Sequence, residues 1–70
     1  MEIQNVNSEN ISKIGYDESS STLEVLLHNG NSFLYSDIAC DIYESFLSSY
    51  FKDDFYRNQI EGFFTCFQIR

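Results

Sequence analysis

Thr22-Leu23-Glu24-Val25-Leu26-Leu27-His28-Asn29-Gly30-Asn31-Ser32-Phe33-Leu34-Tyr35 reads as two strands joined at a tight tip, and the register between the two halves decides the fold. Over 22–27, Leu23, Val25 and Leu27 point one way while Thr22, Glu24 and Leu26 point the other, the two-residue period of an extended chain. The tip admits two registers. A two-residue Asn29-Gly30 loop sets Leu34 across from Val25 and sends Phe33 and Tyr35 to the other face. A three-residue His28-Asn29-Gly30 loop, with Gly30 in the left-handed conformation, sets Phe33 opposite Val25 and Tyr35 opposite Leu23. The second collects Leu23, Val25, Leu27, Phe33 and Tyr35 on one face, leaving Leu26 and Leu34 on the other, and is expected because it buries more apolar area.

Upstream of the hairpin, 11–17 (Ile11-Ser12-Lys13-Ile14-Gly15-Tyr16-Asp17) looks like a first strand, and Asp17-Glu18-Ser19-Ser20-Ser21 like the turn that leads into Thr22. Downstream, Ser36 or Asp37 is placed to cap a helix running to about Tyr50. At 100° per residue, Asp37, Asp41, Glu44 and Ser48 fall on one stripe. Ile38, Ala39, Ile42, Phe46 and Tyr50 cover the opposite side, with Tyr43 and Leu47 at its flank. Asp53 or Asp54 can cap a short second helix to about Glu61, which Gly62 ends. The run 63–69 is rich in β-formers and reads as a final strand, although a continuing helix also fits so short a segment. The fold class expected is α+β: a small antiparallel sheet in the order β-β-β-α-α-β, packed against one amphipathic helix.

Seventy residues without proline, linker or repeat make one domain, 1–70. A chain this short buries only about 60% of the surface its unfolded form exposes, and seven Phe and five Tyr supply the compensating bulk. Each ring is therefore structural before it is anything else. Cys40 and Cys66 are too few to staple a secreted mini-protein and read as free, buried thiols, though spacing alone does not exclude a disulfide between them. Neither sits at a zinc-binding spacing, and His28 is the sole histidine. The N-terminal residues have neither the basic nor the apolar region of a signal peptide, and no apolar run reaches membrane-span length, so a cytoplasmic protein is expected. Net charge is -7, which repels a polyanion and disfavours nucleic acid as partner.

Several motifs carry a resemblance. Val6-x-Ser8-x-x-Ile11-x-x-Ile14-Gly15-Tyr16-Asp17, then Leu23-x-Val25-x-Leu27-x-x-Gly30, Phe33-x-Tyr35-x-x-Ile38 and Ile42-Tyr43-x-x-Phe46-Leu47 resemble the KTSC domain, named for a C-terminal extension of some lysyl-tRNA synthetases and found also as a small stand-alone protein in bacteria and their viruses. The likeness runs from about Val6 to Ile60. Its marker, a central Tyr-x-Tyr, is here Phe33-Leu34-Tyr35, and the proline usual after the position of Ile38 is Ala39. Because Phe33 lacks a hydroxyl, chemistry by a phenol at that position is not implied. The resemblance implies a compact α+β domain and assigns no activity. RNA binding enters only from the family's association with the synthetases.

Chemistry requires a nucleophile with its base, a carboxylate pair in a cleft, or a metal. His28 at a hairpin tip is poorly placed to work with either cysteine, and a helix stripe of carboxylates seldom closes a calcium site. The chain is therefore expected to be a non-catalytic, cofactor-free module that binds a protein partner through Asp37, Asp41 and Glu44 with Tyr43 and Leu47. One alternative is an RNA-binding surface built from Tyr16, Phe33 and Tyr35, against which core packing is the stronger reading of those rings. Others are a viral inhibitor of a host defence protein and a small-ligand site in an aromatic pocket. No membrane partner is expected.

Overall fold

The protein is described from a computed structural model covering residues 2–6 and 8–69. Four strands come first: β1 (Glu2–Asn5), β2 (Ile11–Asp17), β3 (Thr22–Leu27) and β4 (Ser32–Tyr35). Helix α1 (Cys40–Ser48) and a single turn α2 (Lys52–Phe55) follow, then a π-helical turn over Tyr56–Ile60 and a last strand β5 (Cys66–Gln68). The five strands form one sheet in chain order, each antiparallel to its neighbour. The α+β class stands, and the sequence-based order gains β1 in front of it.

The decisive hairpin adopts the three-residue loop: Leu23 faces Tyr35 and Val25 faces Phe33. Gly30 takes φ +94°, and its N–H donates to the Leu27 carbonyl at 3.1 Å. In β2 a register shift between Ile11 and Lys13 inserts Ser12 as an extra residue. That bulge is why Ile11 and Ile14, three apart in sequence, both face the core.

One side of the sheet is sealed by the helical layer. Tyr16, Leu23, Val25 and Tyr35 from the strands meet Ile38, Tyr43, Phe46, Tyr56 and Ile60 from the later half of the chain. Phe46 is fully buried, which contributes about 2–3 kcal/mol. Its ring stacks on Phe55 at 5.4 Å, and Tyr16 stacks on Tyr43 at 4.5 Å.

The helix boundaries differ from the expectation for a tertiary reason. Neither Ser36 nor Asp37 caps α1. The Ser36 N–H donates to the Thr65 carbonyl (3.0 Å) and the Ile38 N–H to the Ser21 carbonyl (2.9 Å), while Asp37 turns the chain at φ +61°. With those groups committed to holding the crossover against β5 and the β2–β3 turn, the first α1 turn closes on the Ala39 carbonyl. The helix is two residues shorter at its far end than expected, and Tyr50, assigned to the buried side, is 98% exposed. Tyr43, assigned to the flank, is buried because the Tyr16 ring offers it a stacking partner. Asp53 and Asp54 cap nothing: the start of α2 has no side-chain cap. Gly62 (φ +83°) does follow the helical segment, and 66–68 is a strand. Cys40 and Cys66 are free, as expected, but both are exposed and not buried.

Candidate protein-binding surface and adjoining groove

Of the residues expected to make contacts, Asp37, Asp41 and Glu44 are all exposed. Asp41 and Glu44 lie on the outer side of α1, and Asp37 stands in the bend before it. Leu47 is half-buried against the core. Tyr16, Tyr35 and Tyr43 are 7%, 2% and 9% exposed, so none offers a ring face to a partner. The Tyr16 hydroxyl donates to the Ile38 carbonyl at 2.6 Å, a buried bond that fixes the crossover to β2. Phe33 is half-buried and lines a groove.

The structure adds contact surface that hydropathy alone did not reveal. Between α1 and the segment Phe55 to Gln59 lies an open hollow of about 390 Å³, with Ile42 and Phe55 as apolar lining and Asp41, Ser45 and Gln59 as polar lining. At the α1–α2 junction Tyr50 and Phe51 (72% exposed) project from the surface. The cations nearby are already engaged: the Lys52 ammonium donates to the Ser49 carbonyl at 2.8 Å, and Arg57 sits 3.9 Å from the Asp54 carboxylate. Along the chain between residues 37 and 61, six carboxylates (Asp37, Asp41, Glu44, Asp53, Asp54, Glu61) stand against two cations, Lys52 and Arg57.

A larger cleft, about 480 Å³, opens beside the hairpin tip between His28, Asn29 and Asn10 on one wall and Asp53, Arg57 and Glu61 on the other. An adjoining groove of about 320 Å³, sharing Leu27, Tyr56 and Glu61 with it, runs past Phe33, Tyr35, Phe64 and Cys66. Asp53 is spent on structure: it accepts from Ser8 Oγ (2.8 Å), the Asn10 N–H (3.0 Å) and Asn10 Nδ2 (3.2 Å). His28 Nε2 lies 2.9 Å from the Ser8 carbonyl, so that nitrogen carries the proton and donates. The Tyr35 and Tyr56 hydroxyls share a 2.6 Å hydrogen bond.

Burial, reinforced by Tyr56 and Cys66, drives the Tyr35 phenol far above its ordinary value. Tyr56 is also raised, by burial first, with its bond to Tyr35 pulling the other way. At neutral pH both are neutral hydrogen-bonding groups. The Cys40 thiol is pushed up by desolvation and by the carboxylates of Glu44, Glu18 and Asp41, which disfavours its thiolate. Among the described residues no three His, Cys, Asp or Glu side chains converge as a metal site, and no helix is long and apolar enough to cross a membrane.

The arrangement of strands and helices has a close relative among solved structures. The crystal structure of a KTSC domain protein from Yersinia pestis superposes with a TM-score of 0.91 at 30% identity, over 99% of this chain and 97% of that one. No curated protein matches the sequence. The KTSC domain family profile matches residues 7–64, a span that holds β2, the decisive hairpin, α1 and the π turn. On that match and that superposition, the chain belongs to the KTSC domain family.

Proposed function

We propose that the chain is a non-catalytic binding module that receives a basic segment of a protein partner on its helical side. The observation that carries this is the hollow between α1 and the π turn, where Ile42 and Phe55 provide apolar lining under an acidic rim at Asp41. An amphipathic segment bearing Lys or Arg satisfies both parts at once: its apolar side chains fill the hollow and its cations meet the carboxylates. Tyr50, almost wholly exposed just past the end of α1, has the chemistry of an interface anchor. Two exposed free thiols suit a reducing compartment, which supports a cytoplasmic setting.

The test compares proteins captured from a host lysate by the wild-type chain and by Asp41→Lys/Glu44→Lys, at low and at physiological salt. A specific partner should be lost with the double variant and weakened by salt, and Tyr50→Ala should reduce its affinity roughly tenfold. A partner retained unchanged by both variants overturns the reading. So does sub-micromolar binding of single-stranded RNA at physiological salt, measured by fluorescence anisotropy.

A further inference from the structure

Among the described residues, no helix packs on the sheet face turned away from the core. Strand registers line up Ile3, Gly15, Glu24, Leu34 and Phe67 as one row across all five strands. Beside it runs a second row, Asn5, Lys13, Leu26, the buried Ser32 and Ile69, whose last step is the 2.7 Å bond from the Ile69 N–H to the Ser32 carbonyl. Ile3, Phe67 and Ile69 are 53%, 63% and 48% exposed, and Leu26 and Leu34 are partly buried between them. Five large apolar side chains on one open face form a patch of the kind that marks an association surface.

We propose that two copies of this chain meet face to face through this surface, about a two-fold axis lying in the plane of contact. Charge selects a second copy as the occupant. The chain carries -7 overall, and an approach through the helical side would set carboxylate against carboxylate. Among the described residues, the charged groups on this face are Lys13, Glu24 and, at its margin, Asp17, whose carboxylate accepts from Ser19 Oγ at 2.7 Å. Lys13 and Glu24 are diagonal neighbours on adjacent strands. An in-plane two-fold bisecting that diagonal lays each Lys13 over the Glu24 of the other copy, so the face is complementary to itself. Gly15 leaves a shallow hollow of about 60 Å³ between Ile3, Lys13 and Leu26 that an apolar side chain of the second copy can enter.

The area sets the strength. Five strands about 4.8 Å apart and about five residues long cover roughly 400 Å² per copy, or about 800 Å² in total, below the ~1,200 Å² of stable assemblies. The dimer is accordingly weak and reversible, with the helical side left open in both copies.

Sedimentation equilibrium from about 10 μM to about 1 mM should show mass rising from monomer toward twice that value, with a dissociation constant on the order of 100 μM. Phe67→Glu and Leu34→Glu should each weaken association at least tenfold. Lys13→Glu and Glu24→Lys should each weaken it severalfold, and the double swap Lys13→Glu/Glu24→Lys should restore it, although the Ser32 Oγ bond to Glu24 is lost in both Glu24→Lys chains. Amide shifts of the unaltered chain on dilution, which need no variant to fold, should concentrate at residues 3, 34 and 67. A chain monomeric at 1 mM, a double swap that fails to restore association, or dilution shifts confined to α1 would each overturn the proposal.

Discussion

Tyr35 and Tyr56 illustrate how one polar contact is bought inside an apolar layer. Their rings meet edge to face at 5.8 Å, and their hydroxyls satisfy each other at 2.6 Å with almost no access to water. Tyr35→Phe removes one hydroxyl and strands the other, an expected cost of about 1–2 kcal/mol. Removing both in Tyr35→Phe/Tyr56→Phe should cost less than the sum of the two single changes, because no buried group is then left wanting a partner. Urea denaturation of the four proteins measures this coupling, and strict additivity would mean that the hydroxyls act independently. Phe33, two residues before Tyr35, faces the same groove without a hydroxyl, and the packing there accommodates a plain ring.

At the level of elements, Asp53 ties the start of α2 to the loop before β2 through its three accepted bonds. Asp53→Ala should lower stability by about 1–2 kcal/mol and speed hydrogen exchange at the Asn10 amide, leaving exchange in the β3–β4 hairpin unchanged. What the sequence made legible follows the same division between local and distant causes. The hairpin register could be read because one alternative gathers five apolar residues and the other does not. The second strand could be placed to the residue, though its bulge at Ser12 could not. The start of α1 was hidden, since it depends on Thr65 and Ser21 carbonyls far away in the chain. Strand β1 was hidden because Glu2-Ile3-Gln4-Asn5 holds one apolar residue, and only pairing with 13–16 makes it a strand. Of the candidate contact residues, the carboxylates were legible because charge prefers water. Tyr43 was not, because its burial is decided by a ring on β2, and the α1 hollow was not, because it exists only once Phe55 has docked on Phe46.

For the molecule as a whole, the tyrosine pair implies an alkaline limit. An unfolded chain releases phenolic protons near pH 10, whereas the folded chain holds those of Tyr35 and Tyr56 to higher pH. The folded values are raised, so the stability contribution is complete below pH 10 and is lost as pH climbs beyond it, by up to about 1.4 kcal/mol per pH unit for each phenol. Melting temperature should be nearly flat from about pH 7 to 9 and fall steeply above about 10. The drop should be shallower in Tyr35→Phe/Tyr56→Phe, and an equal drop in that variant would trace the lability elsewhere.

The strand order carries a consequence in time. Because β1 to β4 follow one another in space as they do along the chain, each of their pairings closes a short loop, and all can form before the helices exist. The β4–β5 pairing alone spans about thirty residues, from Tyr35 to Cys66, and pays the larger entropy of closure. While the protein is being synthesised, β4 therefore waits with an unpaired edge until Cys66–Gln68 emerge, and that interval is when a nascent chain of this fold is most open to capture by another strand.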